Sequence, residues 1–197
     1  MISFVRAATS HRKARLFACA CCYRVYGEHH EDELECVEVA ERFADGKASV
    51  EELAEAEDLL DQGDYRYWSA DYTASVDAEA VWGAAASAQG MLQYNSIPGP
   101  HTDDLLTSES AAQAALLRDI FGNPFRPVTL DPSWLTSNVR ILARGIYDDR
   151  AFGRMPILAD ALQDAGCENE DILNHCRDAN QVHVRGCWVV DLVLGKS

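Results

Sequence analysis

The residues of this chain best suited to chemistry stand near its end: Cys167, His175, Cys176, His183 and Cys187. Thiolate and imidazole are the donors of structural zinc, and four of these five can close a tetrahedron. Their spacing follows no standard zinc pattern, since there is no Cys-x-x-Cys pair and His175 and Cys176 are adjacent. Neighbours on a helix point in different directions, so at most one of that pair serves as a ligand. The competing reading makes Cys167 and Cys176 small buried hydrophobes, with His175 capping the end of its helix. Zinc at this cluster is one expectation, and a chain with no cofactor is the other.

A second group comprises Cys19, Cys22, His29, His30 and Cys36. Cys19 and Cys22 are three apart, which puts them on one helical face within reach of a third donor. Their neighbours are apolar, which favours plain core thiols. Hydrolysis by a nucleophile needs a thiol or hydroxyl beside a histidine and an acid. His183, Cys187 and Asp191 recur every four residues and would share a face if a helix covered them all. There is no Gly-x-Ser-x-Gly elbow, Walker loop or dinucleotide fingerprint. Glu28 and Glu33 flank His29 and His30 without the Glu-x-x-His spacing of a dimetal bundle. An enzyme is therefore not the expectation.

Charge is distributed unevenly along the 197 residues, whose formal net charge is −15. Residues 1–26 carry Arg6, Arg12, Lys13, Arg15 and Arg24 and no acid. Residues 27–64 carry fifteen acids against Arg42 and Lys47. Nucleic-acid binding requires clustered positive charge, so direct binding is not expected. The basic helix is expected to lie against the acidic hairpin, whose outer acids Glu38, Glu41, Glu52 and Glu55 are candidate contacts for a protein partner.

Seven cysteines, three of them crowded at positions 19, 21 and 22, suit free thiols in a reducing compartment better than disulfide staples. No apolar run approaches the roughly 20 residues of a membrane span. The opening residues lack the apolar core of a signal peptide. The expected location is cytoplasmic, away from membranes.

The elements that must position these groups read as helices. Ser10 to Tyr26 is apolar nearly all round, as a core helix should be. Leu34 to Ala44 has Cys36, Val37, Ala40 and Phe43 on one side and Glu35, Glu38 and Glu41 on the other. It ends at Asp45-Gly46, and Ser49 with Glu52 forms a capping box for the next helix, to Gln62. Residues 64–94 carry Tyr65, Tyr67, Trp68, Tyr72 and Trp82 and then an alanine run, predicting one long or broken helix. Residues 95–106 read as a flexible loop because Pro98-Gly99-Pro100 opposes helix.

A helix from about Thr107 then runs into an elbow, Gly122–Pro127, where Phe121 and Phe125 are read as pinning helices together. A partner-docking role for that elbow is the alternative. Pro132 opens a helix with Trp134, Leu135, Ile141, Leu142 and Ile146 inward. Pro156 and Asn169 open two more, and Gly186–Gly195 is taken as a last helix for want of a partner strand.

The motifs LFACACC, LLRDIFGNPFRPV and HVRGCWVVDLVLGK resemble those of a multi-copy family of uncharacterised planctomycete-type bacterial proteins. The resemblance covers the first helix and nearly everything from Leu116 onward, not residues 64–107. It implies a bacterial origin and a shared module, with no activity and no catalytic residue.

The reading is thus an all-α, single-domain bundle of helical hairpins, with residues 1–94 and 107–197 as halves joined at the Gly/Pro elbow. Its function is expected to be non-enzymatic, an interaction module with an acidic helical surface. The alternative is a structural zinc protein or metal-dependent enzyme built on the terminal Cys/His cluster.

Overall fold

Ser10 shows how this chain starts a helix: its hydroxyl accepts the Lys13 N–H, satisfying a first-turn donor, and α1 (His11–Val25) follows. The computed structural model describes residues 10–26, 31–60, 70, 73, 75, 83–88 and 100–196. The turn with His29 and His30 lies outside these residues, as do the aromatics predicted within 64–94. All bounded elements are helical, and no strand occurs among the described residues. The all-α expectation holds. The chain divides into two compact units, Met1–Leu116 and Leu117–Ser197. The division falls within a helix, and not in the 95–106 segment expected to separate two halves.

In the first unit α1 packs on α2 (Glu31–Ala44), and α2 on α3 (Val50–Leu60). Their core joins Ala14, Ala18, Cys19 and Cys22 to Val37, Ala40, Leu53 and Ala56. The α2–α3 turn forms as its sequence dictates. Gly46 takes φ +67°, and the Lys47 N–H reaches back to the Arg42 carbonyl at 2.7 Å. Ser49 and Glu52 then exchange backbone-to-side-chain hydrogen bonds of 2.9 and 3.2 Å, a complete capping box.

The early cations of α1 oppose its macrodipole and find acids as required. Arg12 pairs with Asp45 at 3.1 Å, whereas burial lowers the pKa of Arg15 despite the opposing charges of Cys19 and Glu57. Arg15 also donates to the Thr73 carbonyl and lies over the Phe43 ring.

The exposed acidic face is smaller than the sequence predicts. Glu38, Glu52 and Glu55 face solvent, but Glu41 is only 3 % exposed. Glu41 lies one helical turn beyond fully buried Val37 and therefore shares its inward face. The long helix α4 (Pro100–Phe121) begins earlier than Thr107. Pro100 occupies its first position, where a missing N–H costs nothing because that donor has no helical acceptor.

The second unit contains the last turn of α4 and then α5 (Ser137–Asp148), α6 (Met155–Asp164), α7 (Glu170–Arg177) and α8 (Trp188–Leu194). The expected helix from Pro132 is broken. Asp131 caps a single 3-10 turn, Pro132–Trp134, and Thr136 starts α5 afresh. Val139, Ala143, Ile146 and Tyr147 then line the core, whereas Ile141 is 70 % exposed. Two residues beyond Val139 is roughly 200° around the helix, which points Ile141 outward.

Leu158, Leu162, Ile172, Val189 and Val193 complete this core, each 0 or 1 % exposed. Each large side chain so buried contributes on the order of 2 kcal/mol. The elbow differs from expectation too. Phe125 is 75 % exposed, so it pins no helix. Asn123 holds it on a rigid turn by accepting the Phe125 and Arg126 N–H groups at 3.0 and 3.1 Å.

Candidate metal centre

Asp119 sits in the last turn of α4, on the buried stripe with Leu116 and Ile120, and is 0 % exposed. A carboxylate there is doubly disfavoured, by desolvation and by the negative end of the helix macrodipole. It needs hydrogen-bond donors, and two other segments of the second unit supply His175 and His183, while a third brings up Cys187. Asn169 caps α7 through the Ile172 N–H, and the last turn of that helix carries His175. A tight turn at Asp178 leads to His183. Gly186, at φ +90°, swings the chain so that Cys187 becomes the N-cap of α8.

Four atoms converge. His183 Nδ1 is 2.7 Å from Asp119 Oδ1, and His175 Nε2 is 3.2 Å from the same oxygen. Cys187 Sγ is 3.3 Å from His175 Nε2 and 3.8 Å from His183 Nδ1. The four donor atoms all lie within 4.8 Å of one another. The second carboxylate oxygen of Asp119 accepts the Val184 backbone N–H at 2.9 Å, which fixes the plane of the group.

Burial alone would raise the pKa of Asp119, but hydrogen bonds from His175 and His183 outweigh it and hold the carboxyl below its ordinary range. Burial, reinforced by the charge of Asp119, pushes the Cys187 thiol far up. His183 Nε2 is buried with no hydrogen-bond partner among the described residues. That nitrogen is on the far side of the ring from the converging atoms, whose own setting is polar and largely buried.

These residues fit zinc. Bonds of about 2.0–2.1 Å to nitrogen or oxygen and about 2.3 Å to sulfur place tetrahedral ligand atoms roughly 3.3–3.6 Å apart. Of the six separations among the four atoms, those of 3.2, 3.3 and 3.8 Å lie close to that range, and none exceeds 4.8 Å. The 2.7 Å His183–Asp119 hydrogen bond would open by about half an ångström on ligation. Charge fits as well: one carboxylate, one thiolate and two neutral imidazoles around a divalent cation sum to zero, the cheapest total for a buried site.

The arrangement does not fit a Cys-His-Asp triad. In a triad the imidazole spans nucleophile and acid with its two different nitrogens. Here each histidine turns a single nitrogen toward both Asp119 and Cys187. Cys187 is also 0 % exposed, and its raised pKa is the reverse of an activated nucleophile.

Of the five residues expected from the sequence, His175, His183 and Cys187 meet, while Cys167 and Cys176 do not join them. Cys176 faces the core beside its neighbour His175, and burial pushes its thiol up to about 12. Cys167 lines a separate cleft of about 490 Å³ with Glu168, Asn174 and Arg177. His175 does not cap its helix, since its ring is drawn to Asp119. Asp191 takes no place in the four-atom cluster, because α8 starts after Cys187 and leaves His183 in an irregular segment.

The sequence reading missed Asp119. Its signal was an acid on an apolar stripe between Leu116 and Ile120, where a solvated charge is out of place.

In the first unit the thiols show another pattern. Cys19 donates to the Val37 carbonyl and Cys36 to the Ala70 carbonyl, at 3.7 and 3.8 Å. Among the described residues they form no metal-holding group. No protein-family model matches this chain, and neither a curated protein nor a solved structure does.

Proposed function

We propose that this chain is a non-enzymatic helical protein whose C-terminal unit holds one structural zinc ion through Asp119, His175, His183 and Cys187. The observation that carries this reading is the convergence of four donor atoms of suitable type, from buried Asp119 and Cys187 and partly buried His175 and His183. A catalytic zinc site keeps a position open for water, whereas four protein donors close the tetrahedron. The bound ion would neutralise Asp119, replace the proton of Cys187 and tie α4, α7 and α8 together.

Elemental analysis and native mass spectrometry of chelator-free protein test this. One zinc per chain is expected, lost in Cys187→Ser and kept in Cys176→Ser. Metal-free protein, or zinc retained after Cys187→Ser, would overturn the reading.

A second role rests on a different observation. Glu38, Glu52 and Glu55 expose carboxylates on adjoining helices α2 and α3, a surface suited to a basic protein partner. Reversing the charges of Glu38 and Glu55, which leaves the Glu52 capping box intact, would abolish salt-sensitive capture of such a partner, and unchanged capture would discard the role. No helix among the described residues is long and apolar enough to cross a membrane.

A further inference from the structure

We propose that Trp188 is the positioning residue of this metal centre, its indole lodged against Gly122 so that it aims the His175 imidazole at Asp119 and Cys187. The inference rests on the zinc reading and extends it beyond the ligands. Metal-binding histidines are held in orientation by hydrogen bonds to the other ring nitrogen, whose loss typically weakens metal binding 10–100-fold, and packing that fixes the ring serves the same end. For His175 that support is ring packing. Its imidazole packs edge-on against His183, at 4.9 Å and 77°, and at a tilt against Trp188, at 5.1 Å and 50°.

Trp188 is itself held. A Cβ on Gly122 would stand 3.1, 3.3 and 3.4 Å from three carbons of the indole, so the ring occupies the space a side chain would need. Gly122 also has φ +62°, the left-handed turn that ends α4 three residues after Asp119. One contact therefore links three ligands. Gly122 is tied to Asp119 through the helix end, Trp188 is bonded to Cys187, and the indole faces His175.

The test titrates the full-length protein with Co2+, reading its ligand-field absorption bands, and then displaces it with Zn2+. Trp188→Ala is expected to weaken Co2+ binding about 10-fold or more and to alter band position and intensity. Trp188→Phe, which restores a ring, is expected to recover most of both. Gly122→Ala should act in the same direction as Trp188→Ala. Gly195→Ala is its control, for Gly195 has φ +66° with nothing within 4 Å of a Cβ. It introduces the same backbone strain without touching the indole.

Wild-type affinity and bands in Trp188→Ala would overturn the positioning role and leave the zinc reading standing. A wild-type protein that takes up neither Co2+ nor Zn2+ would overturn both. Should Trp188→Ala not fold, the two glycine variants decide: equal Co2+ binding by Gly122→Ala and Gly195→Ala overturns the proposal.

Discussion

The two units of this molecule use the same functional group in opposite ways. In the first, Cys19, Cys21, Cys22 and Cys36 are buried among Leu16, Phe17, Val37 and alanines. Cys19 and Cys36 donate to backbone carbonyls, and the group behaves as a set of small hydrophobes. In the second, Cys187 is as deeply buried but faces a carboxylate and two imidazoles. Burial is equal, so burial does not assign the role. The difference is the polarity of what a thiol faces: a carbonyl satisfies its one weak donor, whereas converging lone pairs leave room for a cation.

Exchanging single atoms in the two places should separate them. The largest effect is expected at the ligands. A structural zinc ion contributes on the order of 10–16 kcal/mol of binding, so losing one of four ligands should cost roughly 3–4 kcal/mol of affinity. Isothermal titration of Asp119→Asn, His175→Ala and Cys187→Ser against Zn2+ measures it. Cys19→Ser should leave zinc binding unchanged yet lower the urea stability of the first unit by about 1–3 kcal/mol, because a smaller, more strongly hydrated hydroxyl replaces a fully buried thiol. If Cys19→Ser lost zinc, or Cys187→Ser kept it, the contrast would collapse.

Alkaline pH sharpens the comparison. Burial raises Cys19 and Cys21 well above their ordinary range, with the charge of Glu41 adding to Cys19. A group raised in the folded state stabilises fully below its unfolded pKa of about 8.5, and that stability is lost as pH climbs toward the folded value. Unfolding free energy should fall by up to about 1.4 kcal/mol per pH unit for each such thiol above roughly pH 9. Cys19→Ala should flatten the slope by one thiol's share, as urea melts across the alkaline range would record. The smallest effect belongs to Ser49→Ala, which removes a cap worth about 1 kcal/mol without touching either thiol group. Circular dichroism melts would show it.

Much of the fold was legible in the sequence because local chemistry wrote it there. Ser49 and Glu52 announced a capping box, Asp45-Gly46 announced a helix end, and each formed. What misled was local chemistry with two outcomes. Pro100 opens a helix as well as it breaks one, and Ile141 and Glu41 were assigned to faces from helices whose phase was set elsewhere.

The site was half legible. His175, His183 and Cys187 fall within a short span of sequence and were singled out by type. Asp119 was not, since only tertiary structure brings a residue 64 positions away to within 2.7 Å of His183.

That distance along the chain gives the centre a kinetic meaning. His175, His183 and Cys187 come from one short segment, whereas joining Asp119 to His183 closes a loop of 64 residues. Such a closure costs about 4 kcal/mol of chain entropy, which the packing of α5 and α6 offsets. On the zinc reading, an ion held by the three donors without Asp119 would keep one position open to water and a net positive charge. The fourth donor arrives with the assembled core and shuts it. Slow exchange of the ion would then report a finished unit, and fast exchange one still assembling.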